Sequence, residues 1–333
     1  MKSGLVHRPM IPSPRKILKI PLAIQPVRRL IRARKKKQVT IMMYHGVTPT
    51  PLPVYNWCHI PVHEFREQIQ FLSATYRVLP LTEVVTRLER RQPLPDYTAC
   101  VTFDDGFRNV LTTAYPVLTE YRIPFTVFVI TGLAETGLIP WPEQLFDALT
   151  RTRRESLILM GHRLPLATGV ERGSAFSIVL NHLRTLRADH KVAVLSDLLS
   201  ELGPGDAQSD TSSFSTLTWA DIAELASSGL TQFGAHSDTH EILARCSAER
   251  MYTEIMSSRA KLHDRLGNAE LFAYPNGDYN PMIQQMVRVA GFRAAVTTMH
   301  GLNSLDADLY ELKRVGIGSG ISAWRFETAI LGL

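Results

Sequence analysis

An α/β fold built on a closed parallel sheet is what this 333-residue chain predicts. Three observations predict it. Short apolar runs rich in β-branched and aromatic residues alternate with segments whose apolar residues recur at helical spacing. Polar residues stand directly after several of those runs: His45 after residues 39–43, Asp104 and Asp105 after 99–103, His236 after 231–235. Parallel α/β barrels gather their chemistry at that end of their strands. The length also suffices for one such barrel carrying an insertion.

Residues 39–43 read as a buried strand ending at Tyr44-His45-Gly46, and Pro49, Pro51 and Pro53 mark the loop that follows. Phe65, Ile69 and Leu72 recur at helical spacing, before a short apolar strand at Val78-Leu79. A helix over 82–91 leads into the strand 99–103. The next helix, 109–121, contains Pro116, which kinks or shortens it. Residues 125–130 are the next strand. Residues 133–216 then break the alternation. They predict a helix over 143–150 and a hairpin of 157–160 with 163–166, turning at Gly161-His162. Helices over 175–186 and 192–202 follow, then a mobile Gly-, Ser-, Asp- and Thr-rich connector over 203–216. Alternation resumes with helix 219–227, strand 231–235, helix 248–266, strand 271–274, helix 282–290, and strands 292–298 and 312–317. The organisation is therefore a basic arm (1–38), a first part of the barrel (39–132), an inserted, mostly helical subdomain with its linker (133–216), and a second part of the barrel (217–333).

The net charge of +6 is unevenly spread. Residues 1–38 hold 12 of the 37 Lys and Arg and none of the 31 Asp and Glu, so the remainder is net acidic. That body has no basic stripe with interleaved aromatics, which excludes nucleic acid as a partner. The three cysteines, Cys58, Cys100 and Cys246, are too few and too dispersed for a disulfide framework or a thiolate metal site. No apolar run has the length of a signal peptide core or reaches the ~18 residues of a membrane span. A cytoplasmic protein is the expectation. Within the arm, Leu18, Ile20, Leu22, Ile24, Val27, Leu30 and Ile31 mix with Arg28, Arg29, Arg32, Arg34 and Lys35-Lys36-Lys37. Such a segment suits peripheral contact with an anionic membrane at its inner face, each basic residue contributing about 1 kcal/mol; a solvated arm is the alternative.

Two adjacent carboxylates repel, so both ionise readily only beside a cation or strong hydrogen-bond donors. Downstream, His236-Ser237-Asp238-Thr239-His240 offers two imidazoles. One carboxylate with two imidazoles makes a three-ligand site with open positions for water and substrate, the pattern of a divalent metal and most simply of Zn2+. The second carboxylate is then free to act as a base, and metal-assisted amide hydrolysis follows. The plainer alternative makes Asp104 a helix cap and the histidines surface residues. His59 and His63 repeat the His-X3-His spacing, but Pro61 between them argues against a regular helix.

Thr102-Phe103-Asp104-Asp105-Gly106 and the His236–His240 segment resemble the first two motifs of the polysaccharide deacetylases, the NodB-like carbohydrate esterases. Phe272-Ala273-Tyr274-Pro275-Asn276-Gly277 is similar to the third motif of the branch acting on β-1,6-linked poly-N-acetylglucosamine. Tyr44-His45 stands where that branch carries such a pair. The motifs span residues 39–318 in order. The resemblance implies a distorted (β/α)7 barrel of the NodB type, and removal of N-acetyl from an amino-sugar-containing glycan or glycan precursor. It assigns Asp104 as base and Asp105, His236 and His240 as metal ligands. Asn276 would supply an oxyanion-hole N–H, with Tyr274 beside it at the substrate. Many relatives take their general acid from a C-terminal Leu-X-His, absent from 316–333, so His45 is the candidate here and His300 the second. The usual arginine two residues before the motif's proline is Ala273 in this chain; Arg314 is the candidate to orient the base instead. An N-acetylated glycan or a lipid-linked sugar is the implied partner. The same site could remove a formyl or O-acetyl group, and a degenerate, non-catalytic glycan-binding protein is the reading from another class.

Overall fold

The computed structural model describes residues 25–203 and 214–333. Most of the arm and the greater part of the expected connector lie outside the described residues. Seven strands form the barrel: β1 (Thr40–Tyr44), β2 (Thr98–Phe103), β3 (Phe125–Val129), β4 (Thr231–Ala235), β5 (Leu271–Ala273), β6 (Ala294–His300) and β7 (Leu312–Gly316). Neighbours pair in parallel in sequence order, and β1 pairs with both β2 and β7, which closes the ring. A two-residue strand, Arg77–Val78, adds to β2 from outside the ring.

Helices cover the outside. Val62–Thr75 and Leu81–Glu89 connect β1 to β2, Trp219–Ser227 precedes β4, Ala248–Leu266 precedes β5 and Pro281–Ala290 precedes β6. Their ends follow the sequence: Ser247 and Asn280 cap the last two through their side chains, and Gly267 and Gly291 terminate them in left-handed conformations. Pro116 cannot donate a backbone hydrogen bond. The segment after β2 accordingly splits into a π-type turn at Val110–Ala114 and a helix, Tyr115–Glu120, that carries the proline in its first turn.

Strand alternation sorts the core into two layers. Ile41, Cys100, Phe128, Leu271, Val296 and Leu312 point into the barrel. Tyr44, Val101, Phe103, Val127, Phe272 and Val315 point outward, against the helices. The same parity aims His45, Asp104, His236 and Arg314 into the mouth.

The segment between β3 and β4 carries helices Trp141–Arg151, Gly169–Thr185 and Ala188–Leu202 and a hairpin of Ser156–Leu159 with His162–Pro165. These pack around their own apolar cluster, which includes Phe146, Leu157, Phe176 and Leu195. At the opposite, N-terminal end of the strands lies the helix Gln25–Lys35. Arg32 stacks over Tyr97, Lys35 Nζ donates to Leu331 O at 2.6 Å, and Tyr97 N donates to Lys36 O at 2.8 Å. Among the described residues no helix is long and apolar enough to cross a membrane, and all three cysteines are unpaired.

Candidate active site at the mouth of the barrel

Asp104 and Asp105 follow β2, where the chain turns sharply: Asp105 and Gly106 both have φ near +66° (67° and 65°). Reversal of the backbone at Asp105 sends the two carboxylates in different directions. Asp104 is met by Arg314 from β7. Arg314 Nη1 and Nη2 donate to Asp104 Oδ1 and Oδ2, each at 2.6 Å, while Nε donates to Thr297 O at 2.8 Å. Arg314 is wholly buried and Asp104 2% exposed. Burial alone would raise the Asp104 carboxyl; the guanidinium, with His236, overrides it and holds the carboxyl below its ordinary range. The cation beside Asp104 thus comes from β7, and not from position 273 of β5, where the chain has alanine.

Asp105 turns toward the histidines. His236 Nε2 lies 3.4 Å and His240 Nε2 3.2 Å from Asp105 Oδ1. All three residues are buried. Donor atoms around a tetrahedral ion at ~2.1 Å are themselves roughly 3.4 Å apart, so this spacing fits a metal. Asp105 Oδ1 is buried without a hydrogen-bond partner, as a ligand oxygen awaiting an ion would be. His236 Nδ1 pairs with Ala273 O at 2.8 Å, which fixes the ring with Nε2 toward the cluster. Burial pushes His240 down to about 3, which favours the neutral imidazole, the form able to ligate a metal.

The His236–His240 loop is held in a strained conformation that brings its two rings together. Ser237 and His240 both adopt left-handed conformations (φ 59° and 60°), and the His240 N–H donates to Ser237 Oγ at 3.0 Å. Such backbone costs about 1–3 kcal/mol per residue and persists where surrounding bonds impose it. Here they come from Glu254 of helix Ala248–Leu266, which is 1% exposed. Its Oε2 accepts the N–H groups of Asp238 (3.0 Å) and Thr239 (2.8 Å), and its Oε1 accepts Thr239 Oγ1 (2.7 Å). Asp238 Oδ1 in turn accepts Thr131 Oγ1 and Lys261 Nζ at 2.7 and 2.9 Å.

The third motif forms a tight turn. Gly277 N donates to Tyr274 O and Asp278 N to Pro275 O, leaving the Asn276 N–H outside these bonds. A Cβ on Gly277, at φ +75°, would lie 1.9 Å from Thr298 Oγ1, so only glycine fits. His45 follows β1, its Nδ1 buried and unpartnered and its ring edge-on to Trp57, centroids 5.6 Å apart. Burial lowers its imidazole against the pull of Asp105 and Asp104.

The sequence profile of the family described as polysaccharide deacetylase matches residues 91–295, which include both metal-loop motifs. The chain belongs to the polysaccharide deacetylase family. It is a hydrolase of carbon–nitrogen bonds outside peptides. YxkH of Bacillus subtilis is 22% identical over 299 residues, 89% of this chain and 77% of that protein. The poly-β-1,6-N-acetyl-D-glucosamine N-deacetylase of Staphylococcus epidermidis is 37% identical over 70 residues, 21% of this chain and 24% of that one. The Streptococcus pyogenes deacetylase PplD, solved with acetate, superposes with a TM-score of 0.60 at 21% identity, covering 88% of this chain and 98% of that one. At that identity the superposition speaks for the fold.

Some candidates of this polysaccharide deacetylase fall elsewhere. Tyr274 is wholly buried on the outward parity; its hydroxyl donates to Tyr310 O at 3.0 Å and its ring stacks on Tyr279. A substrate contact by its side chain is therefore set aside. Tyr44 likewise faces outward and donates to Gln68 Oε1. His300 ends β6 rather than lying in the loop beyond it; it is exposed, and the charge bearing on it is Lys35. Three buried residues near this cluster were assigned no role from sequence: Glu254, Glu143 and His59. Glu254 is one of several charges on a long amphipathic helix, and Glu143 comes from the insertion. His59 was passed over because Pro61 follows it, yet the short strand His59–Pro61 buries it beside the mouth.

Proposed function

We propose that this chain removes the acetyl group from an N-acetylated amino sugar of a glycan, using a divalent metal, most simply zinc, held by Asp105, His236 and His240. One observation carries the reading: a buried carboxylate clamped by Arg314 stands beside a convergent Asp-His-His cluster whose Asp105 oxygen has no other partner. When bound, the ion polarises the acyl oxygen and lowers the pKa of water toward ~7.

The chain's own groups do the rest. Asp104 takes the proton of the attacking water, with Arg314 fixing the carboxylate plane and keeping it ionised. The N–H of Asn276, which lies outside the two bonds that close its turn, donates to the oxyanion that develops at the acyl carbon. His45 gives its proton to the departing amine, because an amide does not expel an unprotonated nitrogen at neutral pH. The resemblance to the Staphylococcus epidermidis enzyme over 70 residues supports an N-acetylglucosamine-type substrate. The basic helix Gln25–Lys35, with exposed Leu30 and Arg34, supports peripheral contact with an anionic lipid surface.

Acetate release from N-acetylglucosamine oligomers by zinc-loaded protein tests the reading, with Asp104→Asn in parallel. The variant should bind metal normally while kcat falls by about 10²–10⁴. Equal rates for the two proteins would sink the assignment of Asp104. Release of formate from N-formyl sugars and no acetate would replace the acyl group.

A further inference from the structure

The inserted subdomain reaches the mouth of the barrel. Lys191, 3% exposed, donates to Glu241 Oε2 at 2.7 Å, immediately after the ligand His240, and Trp141 lies over the same ammonium at 4.7 Å. From the same helix as Trp141, Glu143 approaches His59: Oε1 and Nε2 are 3.6 Å apart, too far for a hydrogen bond. Both residues are buried, at 3% and 2% exposure. Glu143 Oε2 and both ring nitrogens of His59 have no partner, and neither has His45 Nδ1. His59 packs against Gly46, the residue after His45.

Buried polar atoms without partners cost about 1–3 kcal/mol each and are rare in folded proteins. Four of them together, beside a hydrolytic site, mark a place that a polar ligand completes. We propose that Glu143 and His59 form a specificity subsite in which Glu143 donates a hydrogen bond to a hydroxyl of the sugar that carries the acyl group. This rests on the deacetylase reading above. Burial first, and the charge of Asp105 second, push the Glu143 carboxyl up to about 8, while burial holds His59 down to about 4. Both shifts favour the uncharged forms, in which a carboxyl can donate and an imidazole supplies one donor and one acceptor.

The test compares Glu143→Ala and Glu143→Gln with wild type on two acetyl donors, N-acetylglucosamine oligomers and an aryl acetate that has no sugar. Zinc content and the thermal midpoint serve as controls. Loss of one hydrogen bond predicts that Glu143→Ala lowers kcat/KM on the oligomers about tenfold more than on the aryl acetate. Glu143→Gln, which keeps an N–H donor in the same place, should recover most of that difference. Equal losses on both donors, or no loss at all, overturn the subsite. Should Glu143→Ala not fold, deoxy acetamido sugars replace it: wild type should then discriminate against one analogue about tenfold, and uniform rates overturn the proposal. Wild type that cleaves the aryl acetate but no acetamido sugar overturns the deacetylase reading and the subsite with it. Activity on the oligomers with an indifferent Glu143→Ala overturns the subsite alone.

Discussion

Arg314 and Asp104 are two charges taken out of water together, and each is tolerable only because of the other. Replacing Arg314 by Met leaves a buried carboxylate unpaired, a loss of about 3–5 kcal/mol that a urea midpoint would register. It also removes what holds the Asp104 carboxyl below 3.8, so burial would carry that pKa above the ordinary value. As the proposed base, Asp104 must be ionised to work, so the acid limb of the pH–rate profile should move to higher pH; an unmoved limb would contradict the orienting role proposed for Arg314. Glu143 gives the opposite sign. Its folded-state pKa of about 8 stands above the ordinary 4.5. The stability gained by keeping it protonated is full below about pH 4.5 and is lost as the pH rises through about 8, on the order of a few kcal/mol. In chelator-treated protein Glu143→Gln, which cannot ionise, should fall less in thermal midpoint than wild type between pH 5 and 9. The carboxylate pair and the two histidines were legible in the sequence, since each stands in a short motif after a strand. The partner of Asp104 could only be nominated, because 210 residues separate the two. Glu143 gave no local sign and His59 only a spacing that Pro61 argued against, since their environment is created by the insertion packing beside the mouth.

Strand parity decides which neighbours of a motif matter. In Tyr44-His45 and in Ala273-Tyr274 the residue on the inward parity faces the barrel, and the adjacent tyrosine faces the helices. The rule needs no structure, and applied to β5 it would have removed Tyr274 from the substrate contacts. Helix-level support is harder to read. Glu254 holds the His236–His240 loop through three accepted hydrogen bonds and is itself ion-paired with Arg250 of its own helix, Nη2 to Oε1 2.9 Å. Glu254→Ala should weaken zinc binding about 10–100-fold, while far-UV circular dichroism stays that of a folded barrel. Competition with a zinc indicator measures it, and unchanged affinity would mean that the loop holds its strained shape unaided.

On the scale of the molecule, the alternation of strands and helices foretold the parallel barrel. The count of seven was an implication of family resemblance, since closure depends on the β1–β2 and β1–β7 pairings that no local pattern reports. The arm was legible as basic, but not as a helix seated against Tyr97 and the C-terminal carbonyls. Deleting residues 1–38 should lower the thermal midpoint, because Tyr76 and Tyr97 lose the Arg32 cover, and leave kcat/KM on acetamido oligomers within about twofold. A large loss of turnover would link the arm to the site. The two ends of the barrel are separated by the six residues of β2, roughly 20 Å of strand. A molecule resting on a bilayer through its basic helix would therefore look away from that bilayer. A sugar attached directly to a lipid would lie beneath the barrel, out of reach of Asp104. Only a chain of several sugars could bend up the flank and enter from above, so docking of this kind would make the length of the glycan, rather than its anchor, the property that admits it.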